Sequence, residues 1–379
     1  MSDRGRFVCS SCRREHGASA EMWTCPVCGG VLELGVAPKF EPDRVGRRTR
    51  GLWRYRDTFP LPEDVTPMSL GEGGTPLVPA EIGGRQVHFK LEYLNPTGSF
   101  KDRGTTVLVT ALAAEGVREA VEDSSGNAGA SFAGYAARAG IRARVFLPAA
   151  ASGSKRAQIA AHGAELVPVP GPRSKAAEAV RKAASGGAVY ASHNYNPIGL
   201  AGLATTAFEL WEDLGQAPDW VIAPLGHGSN LLGLARGSRI LRNSGLIERL
   251  PRLIGVQALA CAPLWAVKTY GLDGLGFVTE RETVAEGIRI LQPVRGDAVL
   301  AAVAESDGDI LAVDEPAIQA GQDALARMGW YVEPTSAVVW PGLMEILKRA
   351  EKEDTIAVLL TGSGLKSAYP MGEMEGRDG

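Results

Sequence analysis

The chain has 379 residues, too many for one ordinary core, and its 45% hydrophobic and 22% charged residues are a balance typical of proteins that fold in water. A formal net charge of −3 supplies no field for nucleic-acid phosphate, and no apolar run approaches the ~20 residues of a membrane span. With no signal peptide recognised, the expectations are two domains plus an appendage, a cytoplasmic location, and neither membrane nor nucleic acid as a partner.

Four of the five cysteines fall at Cys9, Cys12, Cys25 and Cys28, as "CSSC" and then "CPVCGG", the spacing of a tetrahedral zinc site. Disulfides are rare in the cytosol and a segment of ~35 residues needs a staple to fold, so residues 1–35 are expected to form a structural zinc ribbon. His16 lies between the pairs, but four cysteines already fill the tetrahedron; Cys261 stands alone among apolar residues and reads as core. Arg4, Arg6, Arg13 and Arg14 are balanced by Asp3, Glu15, Glu21 and Glu33, which removes the basic field a nucleic-acid module requires. The basic stretch "DRVGRRTRGLWRYRD" carries Trp53 and Tyr55 as anchors of a linker over residues 36–60.

"RQVHFKLEY" alternates as a strand, and "DRGTTVLVTALAAEG" carries apolar residues at helical spacing, with Ser99 as N-cap and Gly116 as the stop. Lys101 in "LNPTGSFKDRG" therefore falls in the first turn of a helix. There the positive end of the helix dipole lowers its pKa, which suits an amine that works in its neutral form rather than a solvated surface lysine. Strand and helix then alternate. "REAVED" precedes "NAGASFAGYAARAG", "RARVFLP" precedes "SGSKRAQIAAHG", and "AELVPVP" precedes "RSKAAEAVRKAASGG". "DWVIAPLG" leads into "SNLLGLARGSRIL", "RLIGVQAL" into "APLWAVKTYG", and "TIAVLLTG" closes the series after a second linker at 271–283. Repeated βα units predict an α/β fold, with parallel sheets covered by helices on both faces and ligands at the carboxyl ends of the strands.

Three loops between strand and helix are rich in small residues: "DSSGNAG", "LGHGSN" and "LLTGSGLK". Each exposes backbone N–H groups suited to a carboxylate or phosphate. Together with Lys101 they outline a reactive amine and at least two anion cradles. Neither a Walker A motif nor a dinucleotide fingerprint is present.

"NPTGSFKDRG", "SSGNAGAS", "LGHGSN", "VAEGI", "EPTSA" and "TGSGLK" occur in the order found in fold type II pyridoxal-phosphate enzymes. With "GLWRYRD" and "GEGGTPL" added, the chain most resembles the threonine synthase family from about residue 51 to 367. The resemblance implies two three-layer parallel-sheet domains of the tryptophan synthase β type beside the ribbon. These would be a large pyridoxal-phosphate domain from 36–104 and 196–379 and a small α/β domain from 105–195, paired as a homodimer. Lys101 would hold pyridoxal 5'-phosphate as an imine and then move protons at the substrate carbons, with Phe100 against the pyridine ring. Asn127 would donate to the phenolic oxygen of the cofactor. Ser124, Ser125, Gly126, Asn127 and Ala128 would surround the substrate carboxylate, while Gly226, His227, Gly228, Ser229 and Asn230 cradle the cofactor phosphate. Thr361 would face the pyridine nitrogen, where a hydroxyl does not enforce a pyridinium and so favours elimination and replacement over transamination.

The resemblance breaks at one place. Where threonine synthases hold the phosphate of O-phosphohomoserine with roughly N-S-x-N-P-x-R-x-x-G-Q-K-T, this chain reads "HNYNPIGLAGLAT". His193 and Asn194 stand for Asn-Ser, Gly199 for the arginine, and Leu203 and Ala204 for Gln-Lys; Ala128 replaces a threonine and Ser363 a histidine. An arginine-phosphate contact is charge-assisted and often bidentate, so its loss with several polar donors removes most of the substrate phosphate site. Lys155, Arg156 or His193 could compensate from other directions. The expected activity is α-proton removal followed by β- or γ-elimination or replacement on a small amino acid other than O-phosphohomoserine. The alternatives are threonine synthase proper, a serine or threonine dehydratase-like or cysteate synthase-like β-reaction, and a non-catalytic cofactor-binding or zinc-ribbon regulatory protein.

Overall fold

The computed structural model describes residues 5–35, 39–46, 51–149, 153–171 and 173–367. Its first unit is a three-stranded antiparallel sheet in the order β2-β1-β3, built from β1 (Arg6–Cys9), β2 (Glu15–Gly17) and β3 (Leu32–Leu34). So small a sheet has little core of its own. Phe7, Ala20 and Leu32 accordingly pack into one cluster with Val107 and Leu112 from the following domain. Ser19 and the Ala20 N–H donate to Glu115 at 2.9 and 3.0 Å, which fixes the ribbon on the next domain's surface.

The expected linker holds a short helix, α1 (Pro42–Gly46), and a 3-10 segment, Leu52–Thr58. Its two aromatic anchors behave as expected: Tyr55 is buried, and Trp53 Nε1 donates to Glu72 and Thr106 at 2.9 and 3.1 Å. Arg47, Arg48 and Arg50 of the basic stretch lie outside the described residues, as do Asp3 and Arg4 of the ribbon.

A hairpin, β4 (Leu77–Ile82) and β5 (Arg85–Lys90), opens the main sheet. After α2 (Lys101–Ala114) come β6 (Glu119–Glu122), α3 (Asn127–Ala139), β7 (Arg142–Pro148), α4 (Ser154–Ala161), β8 (Glu165–Val169) and α5 (Arg173–Ser185). The chain returns through α6 (Ile198–Leu214), β9 (Trp220–Pro224), α7 (Ser229–Asn243), β10 (Arg252–Ala258) and α8 (Pro263–Tyr270). It ends with α9 (Gly296–Glu305), β11 (Asp309–Val313), α10 (Glu315–Arg327), α11 (Pro334–Ala337), α12 (Val339–Ile346) and β12 (Ile356–Leu359).

The six-stranded sheet runs β11-β10-β9-β12-β5-β4 and is parallel except for the β4-β5 hairpin; the other sheet, β6-β7-β8, is wholly parallel. Central β9 and β12 are buried at every position, which explains why "WVIAP" and "IAVL" are apolar runs rather than alternating ones. β4 was not expected, because Pro79 interrupts its pattern; it sits at the sheet edge, where proline is tolerated.

Two helix contacts set the geometry of the site. A Cβ on Gly202 of α6 would meet the Arg103 carbonyl at 1.8 Å, and one on Gly233 of α7 would meet Leu203 at 2.5 Å, so glycine alone lets α2, α6 and α7 approach this closely. Arg103, two residues after Lys101, is fully buried between Glu92 at 2.6 Å and Glu209 at 2.7 Å, and Lys90 joins Glu209 at 3.0 Å. That lattice fixes the start of α2 against the sheet.

One local expectation is corrected. Phe100, not Ser99, is the N-cap of α2; it makes no side-chain cap bond, and Ser99 Oγ is buried without a partner. The turn is secured instead by Asp102, which accepts from the Thr97 N–H at 2.7 Å and from Ser131 at 2.6 Å. The stop at Gly116, with φ of 81°, is as expected.

Candidate active site

Lys101 opens α2 with its Nζ 4.8 Å from the Phe100 ring centroid. Burial brings its pKa down to about 8, opposed in part by the Glu122 carboxylate. The direction expected from sequence holds, but desolvation supplies the main cause. Burial also brings Lys366 to about 8, yet its Nζ is committed to the Thr97 carbonyl at 2.7 Å and it lies outside the cavity. Lys101 lines that cavity together with Glu122, Ala128, His193, Gly199, Leu203 and Ser229.

The strand-end loops surround it. Ser124, Ser125 and Gly126 connect β6 to α3, with Ser124 Oγ accepting from the Gly126 N–H at 3.2 Å. Asn127 Nδ2 donates to Glu333 at 2.6 Å, leaving Asn127 Oδ1 buried and unpartnered. Gly226, His227 and Gly228 connect β9 to α7, where Ser229 and Asn230 begin the helix. Gly228 takes φ of 85°, and a Cβ there would strike Val299 at 2.2 Å. Both amide atoms of Asn230 and the Nδ1 of His227 are buried without partners. Burial holds the His227 imidazole well below its usual pKa, hence neutral. Thr361 follows β12; its carbonyl accepts from the Phe100 N–H at 3.0 Å and its N–H donates to Ser336 at 2.8 Å. Asn194, beside His193, keeps a buried Oδ1 without a partner, and its carbonyl accepts from Arg295 at 3.1 Å.

Two acids missed by sequence reasoning complete the site. Glu122 closes β6 fully buried, with Oε1 2.5 Å from His193 Nδ1 and Oε2 accepting from the Asp123 N–H at 2.8 Å. Burial raises its pKa to about 7, and burial also holds His193 well below the usual imidazole value. Neighbouring Asp123, raised to about 6 by burial, accepts from the Tyr190 hydroxyl at 2.8 Å. The available signal was two consecutive acids ending an apolar strand, in "EAVED". Glu333 stood in the quoted "EPTSA" without a role; it takes Asn127 and Lys155, the latter at 2.7 Å.

At the ribbon, the sulfurs of Cys9, Cys12, Cys25 and Cys28 lie within 4.8 Å of one another, with Cys9–Cys28 at 3.5 Å and Cys12–Cys25 at 3.8 Å. Tetrahedral Zn–S bonds of ~2.3 Å set sulfurs about 3.8 Å apart, so the donor set fits zinc. The Cys12 N–H donates to Cys9 Sγ, and this bond leads the causes that lower the Cys9 thiol to about 6. Gly30 is required by the approach of Cys9 Sγ, 2.9 Å from where its Cβ would lie. His16 Nε2 sits 3.4 Å from Cys25 Sγ, outside the sulfur set.

Residues 68–362 match the model of the family described as pyridoxal-phosphate dependent enzyme. The threonine synthase of Methanocaldococcus jannaschii is 35% identical over 374 residues, covering 94% of this chain and 92% of that protein. The threonine synthase of Mycobacterium tuberculosis is 38% identical over 321 residues, 82% of this chain and 87% of its own length. Among solved structures, a T.th. threonine deaminase aligns with TM-score 0.66 at 28% identity, over 78% of this chain and 94% of that one. A buried lysine at a helix start, glycine-rich loops at three strand ends and this extent of likeness agree: the chain belongs to the pyridoxal-phosphate dependent enzymes of fold type II, in the threonine synthase-like group.

Proposed function

We propose that this enzyme removes the α-proton of a small amino acid and then eliminates or replaces a β- or γ-substituent, and that its substrate is not O-phosphohomoserine. The observation that carries the substrate statement is the lining of the Lys101 cavity. Ala128, Gly199 and Leu203 stand where threonine synthases place a hydroxyl, a guanidinium and an amide, no arginine among the described residues lines the cavity, and Glu122 adds a buried carboxyl group. A doubly charged phosphate would find no arginine side chain in the cavity wall to grip it bidentately; Arg173 acts on Lys101, Glu122 and His193 through its charge but is not part of that wall.

The residues fit pyridoxal phosphate. Two orphaned amide atoms on Asn230, the unpartnered Nδ1 of His227 and a glycine at φ of 85° at a helix start make a cradle for a phosphate, while the Asn127 Nδ2 that would donate to the phenolic oxygen is held by Glu333 at 2.6 Å and must leave it to do so. Bound there, the cofactor supplies an electron sink for charge left at the α-carbon. Gly226, His227, Gly228, Ser229 and Asn230 hold its phosphate, Thr361 meets its ring nitrogen and Phe100 its face. Ser124, Ser125, Gly126 and Asn127 hold the substrate carboxylate through backbone N–H groups. Lys101, with its pKa at about 8, takes the α-proton as a neutral amine. His193 and Asn194 border the substrate side chain. Cys9, Cys12, Cys25 and Cys28 hold a structural zinc. The chain pairs as a homodimer through the exposed segment Tyr270, Leu272, Leu275 and Phe277, and works in the cytoplasm.

The test is the specificity constant for O-phosphohomoserine, with borohydride trapping of the cofactor on Lys101, absent in Lys101→Ala, as the control for a loaded site. The expected value lies well below the ~10⁴ M⁻¹s⁻¹ low end of ordinary enzymes. Gly199→Arg should raise it, because Gly199 takes no positive φ and its added Cβ meets nothing nearer than the Gly104 carbonyl at 3.4 Å. Threonine formed at ordinary rates by the parent would overturn the reading.

A further inference from the structure

We propose that His193, positioned by Glu122, is the proton donor to the leaving oxygen of the substrate, and that the substrate is therefore a small β-hydroxy amino acid. The inference rests on the reading that this cavity receives the side chain of a small amino acid.

The geometry comes first. Glu122 and His193 line the same cavity as Lys101, and Glu122 Oε1 is hydrogen-bonded to His193 Nδ1 at 2.5 Å. With Nδ1 occupied by Glu122, Nε2 is the ring nitrogen left for the cavity. The pair is buried: Glu122 is fully covered and the His193 side chain is 15% exposed. Leu108, Phe132 and Leu203 close the apolar side of the space, so what reaches Nε2 is short.

The donor atoms of Glu122, Asp123 and His193 also lie within 4.8 Å of one another, as a cation site would require. Three of their oxygens are already engaged, however. Glu122 Oε2 accepts from the Asp123 N–H, Asp123 Oδ1 accepts from the Tyr190 hydroxyl, and Glu122 Oε1 meets the imidazole. Of the trio, Glu122 and His193 line the cavity and Asp123 does not.

Chemistry then selects the leaving group. A phosphate departs as a stable anion and calls for a cation at the leaving oxygen; among the described residues no arginine lines this cavity. A hydroxyl group departs only with a proton, since free hydroxide is the conjugate base of water at a pKa of ~15.7. In the step, the electron pair left at the α-carbon when Lys101 removes its proton forms the Cα–Cβ double bond, and the Cβ–O bond breaks with its electron pair staying on oxygen. That oxygen takes the Nε2 proton to become water, while Nδ1 takes the proton held by Glu122. Glu122 is left as a carboxylate and recovers its proton from solvent. The charged and titratable groups facing the pair are Lys101 on α2, Asp123 after β6, Arg173 at the start of α5 and His227 before α7. Burial raises Glu122 to about 7 and is opposed by the Arg173 and Lys101 cations, so the pair holds its proton at neutral pH and loses it above.

The test compares elimination from L-serine and L-threonine with elimination from β-chloro-L-alanine, whose chloride leaves without a proton. The parent should process both classes. In His193→Gln and Glu122→Gln the ratio of hydroxyl to chloride turnover should fall at least ~100-fold, the lower range of general acid catalysis. In the parent itself, kcat/KM for the hydroxy substrate should fall as pH rises above about 7 while that for the chloro substrate does not. ¹⁵N-histidine spectra of the full chain with cofactor should show the neutral His193 ring shifting its proton from Nε2 to Nδ1 with the same midpoint, and Glu122→Gln should abolish that shift. Equal loss on both substrates, or a His193 resonance indifferent to Glu122→Gln, overturns the proposal. A parent that releases chloride but leaves serine and threonine untouched overturns it too, with the small-amino-acid reading intact. A parent inactive on both that makes threonine from O-phosphohomoserine overturns that reading as well.

Discussion

At the residue scale the site is governed by desolvation more than by proximity of charge. Lys101 and Glu122 are both shifted toward their neutral forms chiefly by burial, to about 8 and about 7. For Glu122 this has a consequence for stability. Its folded pKa lies above the ~4.3 of an unfolded glutamate, so the folded chain binds the extra proton in that window and loses stability as pH rises through it. Glu122→Gln, which keeps the shape and cannot ionise, should therefore be more stable than the parent at pH 8, by up to about 4 kcal/mol at 1.4 kcal/mol per unit, and no more stable near pH 4. Melting temperatures of both proteins across that range decide it; a gap that widens toward acid would contradict the burial argument.

At the element scale, glycines fix how closely helices and loops approach the site. Gly228 begins α7 at φ of 85° against Val299. Gly228→Ala adds a left-handed residue, worth roughly 1–2 kcal/mol, and a clash at 2.2 Å on top of it. The variant should lose thermal stability and bind cofactor more weakly. Val299→Ala in the same chain should restore part of the affinity but not the backbone strain. Equal cofactor affinity for Gly228→Ala and the parent, by titration of the cofactor-free proteins, would mean that this loop is not the phosphate cradle.

At the scale of the whole molecule, the ribbon is tied to the segment that carries His193. Arg295, 5% exposed, donates to the carbonyls of Asn194, Tyr195 and Leu32 and pairs with Glu33 of the ribbon. Trp23 stands 5.3 Å from both Tyr190 and Tyr195, and Asn196 donates to the Ala20 carbonyl at 2.7 Å. Metal analysis should find about one zinc per chain. Replacing Cys9 and Cys12 by serine should lower turnover as well as melting temperature, because the 193–196 segment loses its backing. A zinc-free variant with unchanged kinetics would confine the ribbon to a separate role. Elsewhere, Tyr270, Leu272, Leu275 and Phe277 are 58%, 76%, 46% and 81% exposed within one short stretch, an apolar surface that a second copy would cover. Leu272→Asp with Phe277→Asp should shift sedimentation from dimer to monomer; a parent already monomeric at micromolar concentration would remove the homodimer proposal.

Much of this protein is written in short stretches of sequence. The cysteine spacing, the alternation of strand and helix, the glycine loops and Lys101 are local patterns, and turns, caps and metal knuckles are formed by residues a few positions apart, so the structure returns them nearly as read. The start of α2 differs from its sequence reading because no side chain caps it and Asp102 instead secures the preceding turn through Thr97 and, from α3, Ser131. Glu122 and His193 are 71 positions apart, and nothing in either neighbourhood announces the other. Burial, which moves their pKa values and that of Lys101, belongs to no single segment. The sequence by itself determined the fold class, because alternating strands, helices and glycine turns rest on local backbone chemistry, and its ordered motifs pointed to the family; the Glu122–His193 contact in the cavity and the bracing of its loop by the ribbon were decided only in three dimensions, where distance and desolvation are set by how distant segments pack.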